Sequence, residues 1–285
     1  MGAAARHRRA FLADNPRCIF CGGNADATSI EHCPPRSMFQ FRLWPEGFEF
    51  PSCEQCNQGT GDYDLLVAML ARMDPFELKG NRDGKQIGLM LAANKQFPGL
   101  IKKMMPSASE ARRHNRAFGI TPAPGQTHQE VSPVNVPREF HHAVCVLAIK
   151  LAKGIYYREK RSAFPNEGCL LLSWFTNTEI LRKGRFVVFD LLKDIAGTAP
   201  ILHRGHAYLN DQFEYKLSIS AEKGLFALQA KFGNAFGFVV FGSALPGKLE
   251  SIIERLREQS QRNGILAVLQ SPTLPVSWFP LNETL

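Results

Sequence analysis

No stretch of the 285 residues approaches the ~20 consecutive apolar residues that a helix needs to cross a bilayer. No membrane partner is expected. The opening Met1 to Ala10 holds Arg6, Arg8 and Arg9 but lacks the apolar run of a secretory signal, so it reads as a frayed terminal arm. Acid is in modest deficit: Lys+Arg 34 against Asp+Glu 26 leaves a formal charge of +8 and a pI ≈ 9.2. That balance favours an anionic partner without requiring one. The first sixty residues are neutral as a block, and most of the excess falls between residues 61 and 200. A disulfide framework is missing as well. Of seven cysteines, Cys33, Cys145 and Cys169 form no paired spacing and the other four sit at metal-binding spacing, which points to a reducing cytoplasm.

What is present is concentrated between Cys18 and Asn57. The segment reads Cys18-Ile19-Phe20-Cys21, then Glu31-His32-Cys33-Pro34-Pro35, then Cys53-Glu54-Gln55-Cys56-Asn57. Two residues between cysteines let one turn present both sulfurs to one ion, so Cys18, Cys21, Cys53 and Cys56 suit tetrahedral Zn²⁺ in a structural role. Gly22 and Gly23 follow the first pair and permit the positive φ of a zinc knuckle. Cys33 reads as a small buried hydrophobe, with zinc ligation as the alternative. The interval between the pairs exceeds what a minimal zinc ribbon needs, and it holds the acid-histidine dipeptide. Hard cations take oxygen ligands, which Glu31 and the Asn57 amide can supply. An imidazole such as His32 titrates near neutrality and can accept a proton from water.

These residues resemble the HNH (ββα-metal) endonucleases, in particular the zinc-stabilised branch of phage Holliday-junction-resolving nucleases. There an acid-histidine pair on the first strand lies between two cysteine pairs, and an asparagine follows the last cysteine. The chain departs from that pattern in having Glu31 where Asp is commoner and in lacking an asparagine between His32 and Cys53. The resemblance implies catalytic roles for His32, Glu31 and Asn57: His32 as general base, Glu31 and Asn57 as holders of a catalytic Mg²⁺ or Mn²⁺, and phosphodiester hydrolysis, in DNA, as the reaction. Restriction, phage defence or a mobile element is the setting it suggests. The alternative from a different class is a non-catalytic zinc module that binds nucleic acid or a protein. In a flat strand Glu31 and His32 point to opposite faces. Both can serve one phosphate only if the strand ends or twists there, an ending that Pro34-Pro35 would supply.

The fold class expected is α+β, a small zinc-bound ββα module followed by helices and an antiparallel-sheet domain. The module takes residues 1–75, with strands at 28–32 and 48–50 and a helix N-capped by Asp62. Asp62 or Asp64 could add a ligand to the catalytic ion, although helix capping is the plainer role. Residues 76–118 read as a basic helical segment carrying Lys102, Lys103, Arg112 and Arg113. Together with Arg36 of the loop after the Glu-His pair, these are the nucleic-acid-binding candidates; a charge run is otherwise a solvated face. The proline-bearing stretch 119–137 reads as a linker. Residues 138–285 form the accessory domain, with an amphipathic helix at Arg138 to Arg158 and strands at Leu170 to Phe175, Arg185 to Leu191, Phe213 to Ser220, Leu225 to Lys231 and Phe236 to Gly242, closed by a helix at Leu249 to Arg262. This half announces no chemistry and could recognise a substrate, a partner or a second copy as a homodimer.

Overall fold

The arm at the start of the chain is helical rather than frayed. In this computed structural model, which describes residues 2–74, 82–178, 197–220, 224–249 and 267–270 with positions 180, 184, 189 and 222, α1 spans Ala3–Asp14. It buries no side chain. It is tied down by the Arg8 guanidinium, which donates to the Thr28 carbonyl, and by Asn15, whose Oδ1 accepts from the Tyr157 hydroxyl at 2.6 Å.

A short antiparallel hairpin follows, β1 (Ser29–His32) with β2 (Glu49–Ser52), in the register Ile30 opposite Pro51 and His32 opposite Glu49. Cys53 caps α2 (Glu54–Gln58), and α3 (Gly61–Ala71) starts after it. Thr60, not Asp62, takes the N-cap position of α3. Thr60 is turned back, its hydroxyl donating to the carbonyls of Cys56 and Asn57, which leaves Asp62 and Asp64 in the first turn, where a carboxylate complements the exposed N–H groups.

Three helices come next, α4 (Gln86–Gln96), α5 (Leu100–Met104) and α6 (Ala108–Phe118), the last closed by a Ser107–Glu110 capping box. The stretch expected to act as a linker carries α7 (His128–Val131) and lies back on these helices. The Asn115 amide donates to the His128 carbonyl at 2.9 Å and the Asn135 N–H to Met104 O at 2.8 Å. Prolines break periodicity there without freeing the backbone.

The long helix α8 (Arg138–Lys160) is apolar around most of its circumference, so it must be covered on several sides. It packs against α3 and the hairpin on one side and against the large sheet on the other. Gly154 shows how tightly: a Cβ there would meet the Phe50 ring at 2.8 Å. Beyond it come β3 (Cys169–Thr176), a two-residue-stranded hairpin of β4 (His203–Arg204) and β5 (Ala207–Tyr208), then β6 (Glu214–Ser220), β7 (Leu225–Phe232), β8 (Phe236–Ser243) and β9 (Ala267–Gln270). The five-stranded sheet is antiparallel in the order β6-β7-β8-β3-β9. The β6-β7-β8 meander matches the expected one to within a residue or two at each end. The expected strand Arg185 to Leu191 and helix Leu249 to Arg262 lie, but for Phe189 and Leu249, outside the described residues.

One core cluster joins the first 75 residues to the last half of the chain. Phenylalanines do much of the joining. Phe48 packs edge-on against Phe213 and Tyr215, with centroids 5.5 and 5.8 Å apart, and Phe213 stacks on Phe232, which stacks on Phe236. Each such pair contributes about 0.5–1.5 kcal/mol beyond its burial. The hairpin is thus seated on the sheet by rings that the composition, with Phe 21, supplies in quantity.

Candidate metal centre and histidine face

The Sγ atoms of Cys18, Cys21, Cys53 and Cys56 all lie within 4.8 Å of one another. Four thiolates around one Zn²⁺ at about 2.3 Å sit close to 4 Å apart, so the cluster fits that ion, and an all-sulfur donor set selects a soft or borderline metal. The knuckle geometry is as the glycines foretold. Gly22 and Gly23 have φ of 68° and 83°, and the Gly23 N–H turns back to Cys18 O at 2.8 Å. Crowding the thiols has an electrostatic signature: a hydrogen bond from Cys56 pulls Cys18 down to about 4, while that same sharing and burial push Cys56 up. Four thiolates cannot ionise together here without a cation.

Two buried lysines of α8 complete the charge pattern. The Lys153 ammonium donates to Phe20 O at 2.8 Å, within electrostatic reach of Cys56, Cys21 and Cys18, so a positive charge backs the thiolate cluster. Burial nonetheless holds its pKa below the usual lysine range. One turn earlier, the Lys150 ammonium donates to Glu31 Oε1 at 2.7 Å and to the Thr60 hydroxyl. The pair is deep, with side-chain exposures of 8% for Lys150 and 4% for Glu31. Burial raises the Glu31 pKa, and Lys150 opposes that. Asp64, close enough to feel both charges, is pushed up to about 7 by burial, with Lys150 lowering it and Glu31 raising it.

Glu31 and His32 therefore go to opposite sides of β1, as strand geometry dictates. His32 reaches the other face, 21% exposed, with Nε2 3.4 Å from Glu49 Oε1 and its ring edge-on to Trp44 at 5.1 Å. Burial lowers the His32 pKa, and the nearby Arg36 and Arg204 guanidiniums lower it further against the pull of Glu49. Its neutral form dominates at neutral pH. Asn57 points elsewhere again, its Nδ2 donating to Ser29 Oγ at 2.8 Å. The structure thus gives His32, Glu31 and Asn57 three separate sets of partners. The oxygen site expected for Mg²⁺ or Mn²⁺ does not fit as it stands, because the carboxylate meant to hold the ion is already neutralised by Lys150 and shut away from solvent.

Around His32 the loop 33–48 is held rigidly. Arg72, itself buried, donates to Phe39 O at 3.1 Å and pairs with Asp83 at 2.6 Å, and Asp83 accepts from the Phe41 N–H at 3.0 Å. Phe41 and Arg42 both have positive φ, 56° and 57°, which side-chain-bearing residues seldom adopt, so this support holds a strained turn. The β4-β5 hairpin docks on the same loop: the Glu46 N–H donates to His203 O at 3.1 Å, and the Gly205 N–H to Glu46 Oε1 at 3.0 Å. It delivers Arg204, whose guanidinium lies 3.8 Å from the Trp44 ring centroid, and that of Arg36 lies 4.9 Å from the same centroid.

Of the other candidates, Lys102, Arg112 and Arg113 are exposed on α5 and α6, whereas Lys103 is paired with Glu139 at the start of α8. Lys150 and Lys153 were detectable in principle, as two cations three apart in a helix otherwise able to bury every face. Arg204 carried no local signal at all.

No family model, curated protein or solved structure matches this chain. Among the described residues, no helix is long and apolar enough to cross a membrane.

Proposed function

We propose that the chain is an endonuclease that hydrolyses phosphodiester bonds, in DNA first of all, with His32 as general base on a zinc-pinned hairpin. The observation that carries this reading is the state of His32. It stands on the accessible side of β1 with its Nε2 directed at Glu49, held neutral by burial and by two arginines. With the ring proton on Nε2 facing Glu49, Nδ1 is the free acceptor, and it can take a proton from a water attacking phosphorus. Glu49 then stabilises the imidazolium that forms, much as an orienting carboxylate does in a catalytic dyad. Cys53 and Cys56 fix the end of β2 and the start of α2, so a zinc-filled cluster keeps Glu49 opposite His32 in register.

The test is nicking of supercoiled plasmid by wild type and His32→Ala, with Mg²⁺, with Mn²⁺ and after chelation. Wild type is expected to cut and His32→Ala to lose on the order of 10²-fold or more of the rate. Equal rates for the two proteins would end the assignment of His32.

A second reading is favoured by one specific observation, the Glu31–Lys150 pair, which replaces a divalent cation by a built-in ammonium. On that reading the protein is a non-catalytic zinc module that binds nucleic acid. A folded, zinc-loaded wild type that binds DNA and RNA but cuts neither under any divalent ion selects it.

A further inference from the structure

We infer that Arg204 and Arg36, gathered on Trp44, form a phosphate clamp that seats the backbone of a nucleic acid over His32. This deepens the nucleic-acid reading of the His32 face and rests on it, but not on catalysis. The two guanidiniums come from distant parts of the chain and each lies over one indole, at 3.8 and 4.9 Å from its centroid. Neither has a carboxylate within ion-pairing distance among the described residues, while other arginines nearby do, such as Arg72 with Asp83 and Arg82 with Asp211. Glu46 is close enough to Arg204 to have its carboxyl pKa lowered by it but not to pair with it, so neither guanidinium fork is occupied by a carboxylate among the described residues. The His32 ring stands edge-on to the same indole, 5.1 Å between centroids, so an oxyanion held by these guanidiniums is close to the imidazole. Guanidinium forks match phosphate geometry, and stacking on an indole fixes their planes in advance.

The surroundings suit a polynucleotide better than a small anion. Tyr208, 77% exposed, pairs across the β4-β5 hairpin with His203, and Phe41, 60% exposed, sits on the strained turn three residues before Trp44. Exposed aromatic rings on the two segments that carry the arginines offer stacking for bases whose phosphates the guanidiniums hold. The hairpin that brings Arg204 is bonded to the loop at Glu46, through the Glu46 N–H to His203 O and the Gly205 N–H to Glu46 Oε1.

Binding of a fluorescein-labelled DNA oligonucleotide, followed by anisotropy across a salt series, tests the clamp without reference to cleavage. Arg204→Ala is expected to weaken binding about tenfold and to reduce the salt slope by about one, since one phosphate contact is lost. Arg204→Lys, which keeps the charge and loses the planar fork, should fall between and controls for undocking of the hairpin. Unchanged affinity and slope in Arg204→Ala, or a loss seen instead in Arg112→Ala/Arg113→Ala, overturns the clamp. The outcomes also separate the two proposals: a wild type that never cuts yet depends on Arg204 for binding keeps the clamp and removes the nuclease. A wild type that cuts equally well with Arg204→Ala does the reverse.

Discussion

Removing the Lys150 ammonium strands a buried carboxylate in this fold. Lys150→Met keeps the stem that packs in α8 but leaves Glu31, 4% exposed, facing no counter-charge and with Asp64 close by. Breaking one side of a buried ion pair costs about 3–5 kcal/mol, about a fifth or more of the stability of an ordinary domain. The cost depends on pH in a definite sense. Burial already raises the Glu31 pKa and Lys150 holds it down, so the variant pKa moves further up. An acid whose folded pKa exceeds its unfolded value loses stability as pH rises between the two. The gap between wild type and variant should therefore be small near pH 4 and widen through neutrality. Urea unfolding at pH 5 and pH 8, with zinc present, reads it directly, and comparable slopes confirm that the same surface unfolds. The double variant Lys150→Met/Glu31→Gln should recover at least about 1 kcal/mol of the loss, since no bare carboxylate remains. A Lys150→Met protein within about 0.5 kcal/mol of wild type at pH 8, or a gap that narrows as pH rises, would refute the reasoning.

Cys53→Ser is expected to drop zinc, measured by atomic emission, well below one ion per chain and to melt the hairpin. The free energy of a structural zinc site, about 10–16 kcal/mol in peptides, exceeds what so small a unit can supply by packing. Full zinc content and an unaltered melt would remove the tetrad. Asp64, held up at about 7 by burial, loses stability for the fold as pH climbs from 3.8 towards that value. Asp64→Asn should therefore gain on wild type between pH 4 and pH 8, by about 2–4 kcal/mol once partial solvent access is allowed for. A difference that is flat in pH counts against it.

Local chemistry carried most of what could be read in advance. The cysteine spacing, the glycines of the knuckle, the two strands of the hairpin, the long helix and the sheet meander all follow from patterns of two to four residues, and each is found. The terminal arm and the proline-bearing stretch were misread because their order comes from distant partners, Thr28 and Tyr157 for one, Met104 and Asn115 for the other. The same cause hid Lys150 from Glu31, across 119 residues, and Arg204 from Trp44. Alternation along β1 was legible too, and it separates Glu31 from His32 where the family pattern would have them converge.

The placement of two ammonium groups on α8 bears on how this protein could be divided. By their order along the chain, the first seventy-odd residues resemble a cassette that can be grafted onto another scaffold. Cut loose from α8, that cassette would carry a naked glutamate in its interior, a sulfur cluster stripped of its nearest cation, and a phenylalanine ring whose glycine socket had gone. Its minimal autonomous unit must include the helix.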